Sequence, residues 1–469
     1  MLFNSVAFFI FLPIVFGLYW SLRGSLRSQN AFLVASSYIF YGWWDWRFLG
    51  LIIFSTVLDY CLSRNMTKAR LWLSLLGNLG VLGLFKYYNF FVDSWINAWG
   101  ALGVEMHAST MQIILPVGIS FYTFQTLSYS IDVYRDRLKP TSDPIAFAAF
   151  VGFFPQLVAG PIERAVKLLP QIERPRTFNY NEAVSGLRLI LWGLFKKVVV
   201  ADTCARYADM IFSDPSAYST PSLIMGAIYF SFQIYGDFSG YSDIAIGTSR
   251  LFGIRLSTNF KFPYFSRDIA EFWRRWHISL STWFRDYLYI PLGGSRGSKA
   301  TVLRNVAIIF LVSGLWHGAN WTFVVWGGVH AALFMPLILL GANRKHTDDV
   351  VAQGRLLPSF SEAAQMLFTF SMVTLAWIFF RTDSIELAFV YLSGILSLNL
   401  ELIVNHFVPT ALIFIGIMII VDWLSRTGEI PTWWLREKFK PLRWAMYTLA
   451  IVLILKNLQN GSSFIYFQF

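Results

Sequence analysis

Long apolar stretches follow one another along most of this 469-residue chain. A helix needs about 20 mostly apolar residues to cross a bilayer. The candidate spans are residues 3–20, 31–46, 48–63, 71–92, 112–131, 183–202, 222–249, 304–341 (a pair), 359–380, 408–425 and 443–457. The alternation with a period of two that a membrane β-barrel requires is absent, so only helices fit. We predict a single polytopic, all-α integral membrane domain over residues 1–469, a helical bundle of about 11–13 spans.

The composition requires lipid, because one water-soluble surface cannot hide so many apolar side chains. The residues AVILMFWYC make up 56% of the chain and DEKR only 14%, whereas a soluble domain has about 25% charged residues. These values exclude a disordered, collagen-like or nucleic-acid-binding protein. The net charge of +11 is then explained by Lys and Arg in cytoplasmic loops, by an anionic cytosolic ligand, or by both.

The positions of Lys and Arg predict the orientation of the spans. Basic residues follow the first, third and fifth spans, whereas residues 93–110 contain none, so the N-terminus lies outside. Residues 144–161 are apolar with cytoplasmic-type charge on both sides, which predicts a re-entrant segment. Residues 385–400 are too short for a span and predict an interfacial helix on the outer face. With these assignments the C-terminus also lies outside.

The segment 250–304 combines ten basic and three acidic residues with many aromatic ones. This pattern is typical of a helix that lies in or dips into the membrane interface, here on the cytosolic face. Such a segment either anchors to anionic lipid headgroups or holds a phosphorylated substrate. The residues that we expect to contact phosphate are Arg274, Arg275, Arg285, Arg296 and Lys299.

A histidine, His317, lies inside apolar sequence between Gly314 and Gly318. An ionisable residue within a membrane segment is costly and indicates a functional site, and the glycines let a backbone or a ligand approach closely. Histidine takes a proton from a hydroxyl or thiol near neutral pH, which suits acyl transfer. The alternative is a hydrogen-bonded core histidine. His277 is the natural second member of a site, and we expect no metal because neither histidine has another ligand three or four residues away.

A polar stripe runs through the predicted span 222–249. Gln233, Asp237 and Tyr241 fall on one helical face, so they face a cavity or the bundle interior. The stripe either lines a substrate passage or binds helices together. With Trp316 and Asn320, these residues are our candidates for tunnel-lining positions.

Several motifs together resemble the membrane-bound O-acyltransferase (MBOAT) family. The first is Phe272-Trp-Arg-Arg-Trp-His277 with its continuation to Gly294, and it is followed forty residues after His277 by Trp316-His317-Gly-Ala. Supporting stretches begin at Gly118, Ile131 and Phe153. The resemblance extends over nearly the whole chain, and the branch that it fits acetylates alginate and other exopolysaccharides or peptidoglycan.

The resemblance implies a helical bundle with re-entrant segments around a central tunnel, in the bacterial cytoplasmic membrane. His317 would match the invariant histidine of the family, and His277 its second signature position. The acyl donor would be acetyl-CoA, a substrate that enters from the cytosol, and no cofactor would be bound permanently. The expected partners are a periplasmic SGNH-type O-acetyltransferase, the polysaccharide acceptor and membrane lipids, with no nucleic acid.

The aromatic tail 459–469 ends in Phe464-Ile-Tyr466-Phe-Gln-Phe469. Related systems carry a similar tail, so the resemblance suggests Tyr466 as an acyl relay. Tyrosine is a poor nucleophile at its free pKa near 10, so His317 would have to act as an adjacent base. The alternative is an aromatic belt at the membrane interface.

Two other functions compete with acyl transfer when the residues are considered alone. A polysaccharide or solute transporter should show internal repeats and a charged pathway, and neither is visible. A non-catalytic scaffold for an exopolysaccharide complex gives no reason for His317 at membrane depth.

Overall fold

The computed structural model describes residues 1–106, 110–111, 113–158, 160–347, 349–400, 408–428, 439–458 and 464–465. Within these ranges the chain is helical and has no strand, which confirms the all-α prediction. The chain divides into two compact units. The first comprises Met1–Gly186 and Ala245–Ser257, and the second Leu187–Ile244 and Thr258–Phe469. A single polytopic domain stays a prediction.

The segment Met1–Gly186 of the first unit contains nine helices among its described residues and the start of a tenth. They are α1 (Val6–Ser21), α2 (Leu26–Asp45), α3 (Leu49–Ser63), α4 (Lys68–Leu82), α5 (Tyr88–Ala101), α6 (Ile119–Tyr134), α7 (Pro144–Gly152), α8 (Phe154–Leu157), α9 (Ala165–Ile172) and α10 (Tyr180–Leu194). A 3-10 turn at Trp46–Phe48 separates α2 from α3, and a π-helical turn at Gly83–Tyr87 separates α4 from α5.

The second unit contains both long and short helices. They are α11 (Asp202–Ser213), α12 (Thr220–Leu251), α13 (Ile269–Arg275), α14 (Ile278–Phe284), α15 (Lys299–His317), α16 (Trp321–Leu339), α17 (Phe360–Arg381), α18 (Ile385–Leu396), α19 (Pro409–Ser425) and α20 (Lys440–Asn457). Residues of α12 up to Ile244 belong to this unit. Further π-helical turns lie at Phe195–Ala201 and Arg285–Tyr289, and such turns are frequent at functional sites.

Among the described residues, four helical stretches are long and apolar enough to cross a membrane: Leu26–Ser63, Lys299–His317, Trp321–Leu339 and Phe360–Arg381. Three shorter apolar helices are α1, α18 and α19. The count of 11–13 spans stays a prediction, because turns divide several of the apolar stretches. In the stretch 112–131, for example, the helix starts only at Ile119, after Gly118 adopts a φ of 76°.

The basic and aromatic segment differs from the single helix that its pattern predicts. It contains the short helices α13 and α14, which are separated at Trp276 and His277. Phe272, Trp276 and Leu280 are buried in the second unit. These aromatic and apolar side chains therefore pack in the core of this unit, whereas Arg285 and Ile290 are exposed.

Polar side chains also bind helices together inside the first unit. The Asp59 carboxylate on α3 accepts hydrogen bonds from Ser74 Oγ (2.5 Å), Asn78 Nδ2 (2.8 Å) and Ser130 Oγ (3.0 Å). These three donors lie on α4 and α6. A buried carboxylate is tolerated in an apolar bundle only when hydrogen bonds compensate its lost hydration, so this cluster fixes the register of three helices.

The close packing of α15 on α16 explains two glycines. A Cβ at Gly314 would collide with the backbone carbonyl oxygen of Phe323, and a Cβ at Gly327 with that of Phe310. Small residues let membrane helices approach until their backbones touch. The predicted close approach at Gly314 is thus made by the backbone of α16, and this contact fixes the end of α15, where His317 lies.

Neighbouring glycines on α16 provide a matched test of this packing. We expect Gly327→Ala to destabilise the protein by about 1–3 kcal/mol, because the new methyl group overpacks a backbone contact. Gly328→Ala is the control, since a Cβ there meets only Leu311 Cδ2 at 3.8 Å. Thermal unfolding in detergent measures both variants. Equal melting temperatures for the two variants would contradict the packing.

Candidate functional site

The His317 side chain lies in an aromatic cage at the end of α15. Its ring centroid is 4.9 Å from that of Trp316, 5.1 Å from Trp326 on α16 and 5.4 Å from Phe380 on α17. The residue is buried, with 3% of its surface exposed. Apolar walls of this kind strengthen any hydrogen bond or charge interaction that the imidazole makes.

The second predicted histidine, His277, lies beside the first. The two ring centroids are 6.2 Å apart, and the His277 ring also lies 6.0 Å from Trp316 and 4.6 Å from Phe238 on α12. His277 is fully buried. The structure therefore brings together the two histidines that the sequence singled out, although forty residues separate them in the chain.

An asparagine that the sequence analysis missed holds His277. Asn259 is fully buried, and its Oδ1 lies 3.1 Å from His277 Nδ1. Burial lowers the pKa of His277 to about 3, so its imidazole is neutral at physiological pH. Asn259 belongs to a loop without a regular hydrophobic pattern, and its role depends on a contact across 18 residues, so no local signal could have found it.

A third histidine, His330 on α16, has a packing role. Its Nδ1 accepts a hydrogen bond from Trp273 Nε1 at 3.3 Å, and its ring is parallel to that of Phe272 at 6.2 Å. It is fully buried. We assign it to the contact between α13 and α16.

A cavity of about 780 Å³ opens beside α13 and α14, within the range of ordinary ligand sites. Its lining combines cations with two carboxylates. The charged lining residues are Lys261, Glu271, Arg274, Arg275, Arg285, Asp349 and Arg426. Three of the five residues predicted to contact phosphate therefore line one cavity.

Internal partners engage two of these three arginines. Arg274 donates to the backbone carbonyls of Asn343 and His346, each at 3.0 Å, and Arg275 pairs with Glu271 at 2.7 Å. Arg285 differs, because its side chain is 57% exposed and pairs only locally with Asp286 among the described residues. Arg285 is thus the arginine best placed to bind a ligand.

The other two predicted phosphate contacts lie outside the lining of this cavity. Arg296 and Lys299 are exposed, and Lys299 Nζ donates to the backbone carbonyl of Leu339 at 3.2 Å. Arg296 precedes α15, and Lys299 is its first residue. Their predicted contact with a phosphate stays a prediction without a shared cavity to support it.

An ion network holds the loop that follows α16 against α13. Arg267 pairs with the buried Glu271 at 3.0 Å and with Asp349 at 2.6 Å. Burial would raise the pKa of the Asp349 carboxyl, but hydrogen bonds from Arg267 and His346 lower it below its ordinary value. Asp349 therefore stays ionised, and its ion pair with Arg267 holds it at the lining of the cavity.

A smaller cavity of about 250 Å³ with mostly apolar walls lies next to the larger one. The two cavities share Trp273, Ser281, Arg285 and Phe334. The smaller one is also lined by Leu280, three residues after His277, and by Ser313, four residues before His317. It thus comes within about one helical turn of each histidine.

The comparison with known families agrees with these motifs. The sequence model of the MBOAT, membrane-bound O-acyltransferase, family matches residues 38–380. The chain belongs to this family. It is an O-acyltransferase.

Similar proteins of this family come from several bacteria. The probable alginate O-acetylase of Azotobacter vinelandii is 42% identical over 400 residues, which cover 83% of this chain and 76% of the relative. The peptidoglycan O-acetyltransferase of Helicobacter pylori is 37% identical, covering 85% of this chain and 80% of the relative. The teichoic acid D-alanyltransferase of Streptococcus thermophilus is 30% identical over 58% of this chain and 69% of its own length.

The polar stripe of the O-acyltransferase lies in its interior. Gln233, Asp237 and Tyr241 on α12 are buried, and Asp237 pairs with Lys197 at 2.9 Å, which also pairs with Asp202 at 2.8 Å. Lys197, which the sequence analysis passed over, was visible as a charge inside an apolar stretch. The network binds α12 to the π-helical turn before α11 through Asp237, and a tunnel-lining role of the stripe stays a prediction.

The remaining tunnel candidates have separate surroundings. Trp316 is buried beside His317. Asn320 caps α16, because its Oδ1 accepts from the Thr322 backbone N–H at 3.0 Å, and its Nδ2 donates to the Asp383 carbonyl. A tunnel along these residues stays a prediction.

The described part of the aromatic tail docks on α12. The Ile465 backbone N–H donates to Asp237 Oδ2 at 2.7 Å, and the Phe464 ring lies 4.2 Å from that of Tyr241. Phe464 and Ile465 are buried in the second unit, which an aromatic belt in contact with lipid would not require. Tyr466, the predicted relay residue, lies outside the described residues.

Proposed function

We propose that this O-acyltransferase takes an acetyl group from acetyl-CoA at the cytosolic face of the bacterial cytoplasmic membrane. It passes the group across the membrane, where a periplasmic SGNH-type partner transfers it to a polysaccharide. The observation that carries the proposal is the pair of buried histidines 6.2 Å apart, within about one helical turn of a cavity that adjoins a cation-lined one.

The cation-lined cavity suits the phosphates of a coenzyme A thioester. Arginine binds phosphate oxygens through charge-assisted hydrogen bonds, and Arg285 lines both cavities. The apolar cavity suits the less polar arm that carries the thioester. Two relatives support the acetyl group, because they are named for O-acetylation of alginate and of peptidoglycan.

His317 supplies the general base in this proposal. Its imidazole takes the proton of an attacking hydroxyl as the oxygen bonds to the thioester carbonyl carbon. The carbon–sulfur bond then breaks, and the imidazolium returns the proton to the departing sulfur. The aromatic cage excludes water and so protects the thioester from hydrolysis.

The Tyr466 hydroxyl is our candidate for the attacking group. Support comes from the docking of Phe464 and Ile465, whose contacts on α12 include Asp237 and Tyr241. Phe238 on the same helix lies 4.6 Å from the His277 ring and 6.1 Å from the Phe464 ring. Phe464 thus packs near the same phenylalanine ring that contacts His277.

Replacing His317 tests the proposed reaction. We expect His317→Ala to lower acetyl transfer from labelled acetyl-CoA by about 10²–10⁴-fold, the usual contribution of general base catalysis, while the variant still unfolds in a cooperative thermal transition above the assay temperature. His330→Gln is the control, since His330 packs outside the reaction centre and glutamine preserves an acceptor. Equal turnover by the original protein and His317→Ala would show that His317 is not the general base. Absence of turnover in the unmodified protein with its partner supplied would favour a transporter or scaffold.

The two groups of arginines provide a matched test of the donor site. We expect Arg285→Ala to raise KM for acetyl-CoA about tenfold or more, because one charge-assisted hydrogen bond is lost. Arg23→Ala should change KM less than about twofold, since Arg23 is an exposed arginine of the first unit outside the lining of the cavity. Steady-state kinetics in detergent compare them. An unchanged KM for Arg285→Ala would contradict this cavity as the donor site.

Removing the hydroxyl oxygen of Tyr466 tests whether this residue relays the acetyl group. We expect Tyr466→Phe to lower acetyl transfer to polysaccharide by about 10²-fold or more, because the attacking oxygen is removed while His317 stays intact. Gln468→Ala, in the same tail, keeps the tyrosine and is the control. Transfer is measured as labelled acetyl groups on the polymer at matched protein levels. Undiminished transfer by Tyr466→Phe would rule the relay out.

A further inference from the structure

A compact hydrogen-bond network surrounds the Asn259 side chain. Its Oδ1 accepts from Ser279 Oγ at 2.8 Å and from the Ser279 backbone N–H at 3.3 Å, and it lies 3.1 Å from His277 Nδ1. Its Nδ2 donates to Ser242 Oγ at 3.1 Å. The backbone carbonyl of Asn259 also accepts from the Ile278 N–H at 2.9 Å.

These contacts fix which way the Asn259 amide points. A backbone N–H only donates, so the atom that faces the Ser279 N–H must be the carbonyl oxygen and not the NH₂ group. An amide oxygen only accepts. The His277 nitrogen that contacts the same oxygen must therefore carry a hydrogen. In a neutral imidazole the other nitrogen, Nε2, then has a lone pair and no hydrogen.

The His277 backbone is held in a conformation that few residues adopt. Its φ is 43°, in the left-handed region, which is uncommon for residues other than glycine and occurs preferentially at functional sites. His277 is fully buried, and Nε2 has no hydrogen-bond partner among the described residues. A buried acceptor of this kind is costly unless a ligand satisfies it.

We propose that Asn259 is a positioning residue, which holds His277 as the Nδ1–H tautomer so that Nε2 accepts a hydrogen bond from an N–H or O–H group of the substrates beside His317. This role rests on the proposed function, because the acceptor acts in acyl transfer. Asn259 itself touches no substrate. Its effect on the reaction passes through the His277 ring.

Two substitutions at position 259 separate positioning from packing. Asn259→Asp keeps an acceptor for both Nδ1–H and the Ser279 N–H, so we expect kcat for acetyl transfer within about tenfold of the original. Asn259→Leu has a similar size but no acceptor, and we expect a loss in kcat of about 10–100-fold with KM for acetyl-CoA little changed. A packing role predicts the opposite order, since a buried carboxylate is costly and leucine is not.

A spectroscopic measurement reads the tautomer without any turnover. Nitrogen-15 NMR of histidine-labelled protein in lipid distinguishes the two neutral tautomers, and His277→Gln identifies the His277 signals by their loss. We expect the Nδ1–H form in the original protein and in Asn259→Asp, and a shift towards the Nε2–H form in Asn259→Leu.

The outcomes separate this proposal from the proposed function. An Nε2–H tautomer in a protein that transfers acetyl groups would overturn the role of Asn259 alone, as would full activity of Asn259→Leu. Absence of acyl transfer by the unmodified protein would overturn the proposed function, and the positioning role with it, while the NMR result still reports the tautomer.

Discussion

Gly314 and Gly327 let α15 and α16 pack with backbone against backbone, because a Cβ at either position would collide with a carbonyl oxygen of the facing helix. The candidate site depends on this contact. The contact fixes the end of α15 and so places the His317 ring next to Trp326 of α16 and Phe380 of α17. Without a hydrophobic driving force between helices in lipid, such close packing is a main source of their association.

Polar groups inside this bundle are arranged as networks, and each network joins segments distant in sequence. Lys197 joins the π-helical turn to Asp237 of α12, and Asp237 in turn accepts from the backbone of Ile465. Asn259 joins a loop to His277 in the same way. Because a lone buried charge or amide is costly, each network restricts its segments to one arrangement. The position of His277 and the docking of Ile465 thus have one physical origin.

Much of this organisation could be predicted from the sequence. Apolar stretches predicted helices, and glycines flanking a histidine in such a stretch predicted a close approach and a site at His317. The sequence could not tell which arginines stay available to bind a ligand and which ones are engaged inside the protein. Arg274 is engaged by carbonyl groups of a loop about 70 residues away, and no spacing rule anticipates such a contact. Asn259 was missed for the same reason, because its contact with His277 joins residues distant in the chain. The helix expected over the basic segment is interrupted at His277, because that residue adopts a left-handed conformation.

The proposed function requires that the acetyl group crosses the membrane through the protein. An assay with donor and acceptor on opposite sides of the membrane tests this most directly. Sealed vesicles with the cytosolic face outward would enclose the polysaccharide and the periplasmic partner, and labelled acetyl-CoA would be added outside only. Transfer through the protein predicts label on the enclosed polysaccharide, and none in vesicles with His317→Ala. Consumption of acetyl-CoA outside, with no label inside, would contradict it.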